Sequence, residues 1–228
     1  MKYPKLKLSP ETILVLKNFA TINQSLIFKE GHIQRTVQPQ KTIMAQATLK
    51  DKFPKEFAIY NLAQFIAVLD LCSSSELECA DNYVMIRSGP TAVKYFYGSK
   101  AHVTTPPEHA IKLPSEDAKF TIEAEALKAT LQAAALLSLP EIMLFGRDGK
   151  SYIGATDLRT EGSNVFEYEV GGAETNYRTV FKTEYLKILP GKYEAKVSTQ
   201  GLAYLKTNIA DSVTVEYWLP VDIKTKEL

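Results

Sequence analysis

The feature that most constrains this chain is a plan that occurs twice. In the first half Ser9-Pro10-Glu11-Thr12 opens a helix, because serine caps an N-terminus well and proline suits the first turn. Ile13, Leu16, Phe19 and Ala20 share one side of it, and Lys17, Asn18 and Thr21, with Leu14, the other. SLIFKE and HIQRTV flank Glu30-Gly31, which predicts a hairpin, and TIMAQATL and FAIY read as further strands. Asn61 opens a second helix, NLAQFIAVLDLC, with Leu62, Phe65, Ile66 and Leu69 on one packed face. SELECA, Tyr83–Arg87 beyond an Asp81-Asn82 turn, and AVKYFY complete the unit.

A connector follows. His102–Pro114 contains Pro106-Pro107 and Pro114, which a central strand excludes and a stiff extended link favours. The plan then restarts with a helix over residues 123–138. EIMLFG, SYIGAT across Asp148-Gly149, NVFEYEV and YRTVFK read as strands, and Lys182–Leu189 as a short helix ended by Pro190-Gly191. KYEAKVS, LAYLKTN and SVTVEYWLP close the chain. The expected organisation is a first domain over 1–105, a connector over 106–117 and a second domain over 118–228. The class is α+β, each domain having two helices packed on antiparallel sheet.

The chain has 228 residues and a net charge of +1, so bulk charge does not announce a nucleic-acid binder. Residues 1–60 hold ten Lys/Arg against four Asp/Glu, about +6, which leaves −5 for the remainder. This describes either a basic patch or a solvated lysine-rich terminus. Cys72 and Cys79 suit no disulfide framework and lack metal spacing with His32, His102 and His109. The start MKYPKLKLSPET has no apolar core of signal-peptide length, and no run approaches a membrane span. The expectation is an intracellular protein in a reducing compartment, without cofactor or metal.

Catalytic constellations are missing from the pattern. The histidines read as surface or connector residues. The pairs Glu76/Glu78 and Glu116/Asp117 have no basic partner or apolar setting that suits acid–base work. Gly89-Pro90 and Gly171-Gly172 are turns rather than phosphate loops. The expectation is a protein that is not an enzyme.

The stretch EAEALKATLQAAALL, residues 123–137, is more informative. Leu127, Thr130, Leu131, Ala134 and Leu137 cover one arc. Glu125, Lys128, Gln132 and Ala135 lie opposite, with Leu139 near them. Alanine there is either a helix former on a plain solvated face or a means of keeping that face slim beside a large partner. In the second helix Ala63, Gln64 and Ala67 show the same trait. Such faces suit passing duplex DNA, with a few lysines attracting phosphates without reading bases.

Three stretches carry a family resemblance: LKNFATIN at 16–23 leading to a strand through Phe28-Lys29, FAIYNLAQFI at 57–66, and VEYWLP at 215–220. They resemble DNA polymerase sliding clamps, most closely those of large tailed bacteriophages. The resemblance implies the DNA clamp fold assembled as a closed homotrimeric ring, with helices lining a hole threaded by duplex DNA. It implies a replicative DNA polymerase and an ATP-driven clamp loader as partners, a part in late transcription through a transcription factor, and action in the host cell cytoplasm. Carried onto this sequence, Lys17, Lys128, Gln132, Lys182 and Lys187 face DNA, and Lys2, Lys5 and Lys7 add to the field. Arg87, Lys94, Arg147 and Arg178 read equally as ordinary strand or loop charges. The strand Ala92–Tyr97 of one subunit meets Val165–Val170 of the next, with Tyr95, Tyr97, Phe166 and Tyr168 as aromatic packing, or else as the core of their own domains. Val37, Ile43, Leu219 and Pro220 form the pocket for a partner peptide. Two other readings remain open: a monomeric or dimeric processivity factor held on DNA electrostatically, and a β-rich viral structural or interaction protein.

Overall fold

The structure, a computed structural model, describes residues 3–72, 75–174 and 176–221. Lys2 lies outside the described residues. The chain divides into two compact units, residues 1–108 with 208–215 and residues 109–207 with 216–228.

The first unit runs β1 (Lys5–Leu6), α1 (Pro10–Ile22), β2 (Leu26–Phe28), β3 (Gly31–Val37), β4 (Met44–Phe53), β5 (Phe57–Ile59), α2 (Leu62–Leu71), β6 (Glu76–Cys79), β7 (Tyr83–Ser88) and β8 (Thr91–Phe96). Both helices start where the caps require. The Ser9 hydroxyl accepts from the Thr12 N–H at 3.3 Å, and the Asn61 side-chain amide oxygen from the Gln64 N–H at 2.9 Å. Their apolar faces bury Val15, Leu16, Phe19 and Ile22 on α1, and Leu62, Phe65, Ile66 and Leu69 on α2. Asn18 departs from the expected wheel and is buried. Beneath the helices Phe28 stacks on Phe57 with ring centroids 4.8 Å apart, and Phe53 and Phe65 close the aromatic cluster.

The expected hairpin at Glu30-Gly31 does not form a ladder. β2 pairs instead with β5, Leu26 opposite Ile59, while β3 pairs with β4. The reason is local. The buried Gln34 side chain accepts from the Lys29 N–H at 2.8 Å and donates to the Lys29 carbonyl at 2.9 Å, satisfying the backbone groups a hairpin partner would take.

The second unit runs β9 (Ala118–Ile122), α3 (Ala124–Leu136), β10 (Glu141–Arg147), β11 (Lys150–Thr156), β12 (Phe166–Gly172), β13 (Tyr177–Lys182), β14 (Tyr193–Ser198), β15 (Leu202–Ala210) and β16 (Val213–Pro220), except that residues 208–215, the end of β15 and the start of β16, belong to the first unit. α3 packs on β11 and β12. The expected helix over Lys182–Leu189 is a single 3-10 turn at Thr183–Tyr185, so the described residues contain three α-helices rather than four. Few residues separate the end of β13 from Pro190, too short a span to repay helix nucleation. β10 and β11 join through the expected Asp148-Gly149 turn, both residues having positive φ of 53° and 77°.

The repeat holds in pairing as well as in order. β1 pairs with β6 as β9 pairs with β14, β2 with β5 as β10 with β13, β3 with β4 as β11 with β12, and β6 with β7 as β14 with β15. All of these ladders are antiparallel. The leading strands β1 and β9 are the elements the sequence pattern does not reveal. β1 is two residues long, and β9 carries only Phe120 and Ile122 as buried alternating positions.

Candidate nucleic-acid interface and edge strands

Each unit exposes a slim helical face opposite its core. On α3, Ala126, Leu127, Thr130 and Ala134 are buried, while Glu125, Lys128, Gln132 and Ala135 are exposed, close to the expected wheel. Two leucines differ from it. Leu139 lies beyond the helix end and is buried, whereas Leu137 is exposed. The Thr130 hydroxyl spends its hydrogen on the Ala126 carbonyl at 2.8 Å, so it needs no outside partner. On α1 and α2 the exposed positions are Pro10, Leu14, Lys17, Thr21, Ala63, Gln64, Ala67, Asp70 and Leu71.

The lysines of the expected DNA-facing set differ in what they face. Lys17 Nζ lies 2.9 Å from Asp70 of α2, so a carboxylate offsets its charge and the pair ties the two helices together. Lys128 is exposed and makes no ion pair among the described residues. Lys182 Nζ lies 3.7 Å from Glu184 and 5.6 Å from the Tyr185 ring centroid. Lys187 follows the 3-10 turn, its N–H donating to the Tyr185 carbonyl at 2.8 Å. Lys5 is paired with Glu76 at 2.5 Å.

The strands named for subunit pairing are both outermost. Among the described residues β8 has only β7 as a neighbour and β12 only β11. Their side chains divide by face. Tyr95 packs edge-on against Phe65 of α2, ring centroids 5.2 Å apart, and its hydroxyl donates to the Asn61 carbonyl at 3.2 Å and the Gln64 side-chain oxygen at 3.0 Å. Tyr97 stacks on Phe57 at 4.8 Å. Burial pushes its hydroxyl up and the nearby Cys79 thiol up to about 11, so that thiol is a packed apolar group rather than a nucleophile. Tyr95 and Tyr97 thus pack within their own unit. The exposed residues of β8 are Thr91, Ala92, Lys94 and Phe96, and of these Phe96 was not among the expected interface residues. On β12 Phe166 is half-buried and Tyr168 exposed, while Glu167 and Glu169 pair across the sheet with Arg147 and Lys150 at 2.8 and 2.7 Å.

Of the expected peptide pocket, Val37 and Ile43 are buried in the first unit, and in the second Leu219 is buried and Pro220 exposed. Side chains of the first unit bond to the early part of the connector. Buried Asn23, just past α1, donates to the Val37 and Thr104 carbonyls at 2.9 and 3.3 Å, and Arg35 donates to the Glu108 carbonyl at 3.1 Å.

Comparison with known proteins accords with this geometry. Residues 7–84 match the family model described as DNA polymerase processivity factor. A sliding clamp of Vibrio phage KVP40 is 32% identical over 206 residues, covering 87% of this chain and 93% of the relative. The chain belongs to the sliding-clamp family. The sliding clamp of Escherichia phage RB69 is 27% identical over 225 residues, covering 91% of this chain and 98% of its own length. Among solved structures, the clamp fold is shared with A. fulgidus PCNA bound to the C-terminal region of FEN-1, with a TM-score of 0.75 and 16% identity over 97% of this chain and 99% of that one. PCNA of Thermococcus kodakaraensis superimposes with a TM-score of 0.74, also at 16% identity, over 96% of this chain and 99% of that one. No helix among the described residues is long and apolar enough to cross a membrane.

Proposed function

We propose that this clamp forms a closed homotrimeric ring that encircles duplex DNA and tethers a replicative DNA polymerase, and that an ATP-driven loader sets it in place in the host cell. The observation that carries the reading is the family membership of a chain in which, among the described residues, β8 and β12 each stand at the outer edge of a sheet. Bare edges invite uncontrolled pairing, and a ring of identical head-to-tail contacts satisfies them. Retention on DNA is then topological, and the chemistry inside the ring can stay weak. A net charge of +1, a lysine already tied to Asp70 and alanine-rich exposed helix faces fit that requirement. Lys128 and Gln132 are the proposed DNA-facing pair on α3, with Lys17, Lys182 and Lys187 adding a weaker field. Polymerase, loader and a late transcription factor are proposed to dock a short peptide near the connector; Val37, Ile43 and Leu219, being buried, support that surface from beneath rather than touch the peptide. The reading assigns the clamp no catalysis of its own.

The test combines solution mass with topology. Light scattering over a dilution series gives the mass of three chains. Clamp placed on DNA by a loader stays on circular DNA and leaves linear DNA with free ends. A monomer retained equally on both forms overturns the proposal. Binding without a loader that falls steeply with salt favours direct electrostatic attachment instead.

A further inference from the structure

The stretch that leads into the connector has little burial to hold it. Thr104, Thr105, Pro107 and Glu108 are exposed, and Val103 and Pro106 half-buried. Apolar packing therefore contributes little to its path. It is attached instead at residues 100, 104 and 108. Lys100 pairs with Glu56, whose carboxylate also takes Lys29 at 2.6 Å. The Asn23 amide donates to the Thr104 carbonyl at 3.3 Å, and the Arg35 guanidinium to the Glu108 carbonyl at 3.1 Å.

The two later attachments are themselves held from within the first unit. Asn23 is buried, and its backbone N–H closes α1 on the Phe19 carbonyl at 2.9 Å. Its Nδ2 group donates to the Val37 and Thr104 carbonyls, and its Oδ1 accepts from the Ser25 N–H at 3.0 Å and the Ser25 hydroxyl at 3.3 Å. Every donor and acceptor of that amide is used, so the buried group has one orientation that satisfies it. Arg35 is aimed by Gln46, directly opposite on β4, whose side-chain oxygen accepts from Arg35 Nε at 2.6 Å. Between the two attached carbonyls lie Thr105, Pro106 and Pro107, and the prolines keep that stretch extended and stiff. Bonds to carbonyls take no notice of the side chains they pass, so the exposed side chains of the stretch stay available to a partner.

Resting on the reading that partners dock a short peptide near the connector, we propose that Asn23 and Arg35 are positioning residues for the polymerase. They hold residues 104–108 in one extended course before the polymerase arrives, so that its peptide meets a surface already formed. Both act through the connector backbone. A connector released from them occupies the binding-competent course for only part of the time, and the apparent affinity falls by that fraction.

Three variants test it in the full-length clamp, with circular dichroism confirming each fold. Arg35→Met keeps the side-chain stem and removes the donors, Arg35→Lys keeps a donor that reaches a carbonyl, and Asn23→Asp keeps the acceptor for Ser25 and removes both donors. Hydrogen–deuterium exchange over residues 103–108 reads the connector, and interferometry against the replicative polymerase of the same phage reads binding. Arg35→Met and Asn23→Asp exchange at least about tenfold faster there than wild type. They bind the polymerase roughly fivefold more weakly, the worth of one net hydrogen bond, while the solution mass is unchanged. Arg35→Lys stays within about twofold of wild type. Should Asn23→Asp fail to fold, the Arg35 pair decides alone. An Arg35→Met connector that exchanges no faster, one that exchanges faster but binds polymerase as wild type does, or an Arg35→Lys variant as weak as Arg35→Met overturns the proposal and leaves the docking reading in place. Thr105→Glu, at an exposed connector position, tests that reading separately: polymerase binding equal to wild type puts the peptide elsewhere and removes the reading, and the proposal with it.

Discussion

Gly154→Ala tests how tightly the edge strand β12 is held. Gly154 lies in β11, opposite Glu167. A Cβ built there stands 2.5 Å from the Phe166 carbonyl oxygen, with Met143 Cε and Phe145 Cε1 at 3.5 Å. Ordinary contact begins near 3.4 Å, so roughly 0.9 Å of space has to be found. The obstructing atom is backbone, and the two side chains block the other direction, so β12 is the part that moves. Overpacking of this kind costs about 1–3 kcal/mol. In a chain of this length each kcal/mol lowers the melting midpoint by about 2–4 °C, giving a drop of about 2–12 °C. Gly172→Ala is the matched control. Its nearest neighbour is the Gly149 carbonyl at 3.7 Å and its φ is not positive, so the methyl fits and the melt holds or rises slightly. Thermal unfolding by circular dichroism reads both, and light scattering reads whether the displaced β12 also weakens assembly. A Gly154→Ala melt within 1 °C of wild type, or a Gly172→Ala loss as large as that of Gly154→Ala, refutes the reasoning.

Two further outcomes follow from the charges and the buried tyrosines. Lys128→Glu, which reverses an exposed cation without an ion partner, shortens the lifetime of clamp on circular DNA and lowers loading, whereas Lys17→Ala changes DNA retention less because Asp70 already neutralises that lysine; its stability cost stays within about 1 kcal/mol. Single-molecule residence times separate the two. Burial pushes the Tyr177 hydroxyl up to about 12 from an ordinary value near 10, the Ser151 hydroxyl 3.1 Å away partly opposing the shift. The neutral form is favoured in the fold, so this stabilisation is complete below pH ~10 and is lost as pH rises from there toward 12, by at most roughly 2–3 kcal/mol. Urea unfolding between pH 8 and 11.5 shows the fall, and Tyr177→Phe makes it shallower.

The sequence by itself determined the periodic parts. Ser9 and Asn61 cap helices because their side chains reach orphan N–H groups within three residues, a purely local matter. The slim face of α3 is legible for the same reason, since a 3.6-residue period places Leu127 inward and Lys128 outward wherever the helix is set. The doubled plan is legible because it is a sequence of such local patterns.

Tertiary structure decided what depends on neighbours remote in sequence. Gln34 displaced the expected hairpin by satisfying Lys29, and β2 found β5, some thirty residues on. Leu139 went inward and Leu137 outward once the helix had ended, because periodicity carries no information past a terminus. Lys17 looked like a free cation until α2 brought Asp70 to 2.9 Å. The alternation in β8 left either face open to the core. The packing of Tyr95 on Phe65 and Tyr97 on Phe57 settled it, turning Lys94 and Phe96 outward. A strand's period of two fixes which residues share a face, but only the element packed behind the strand fixes which face is which.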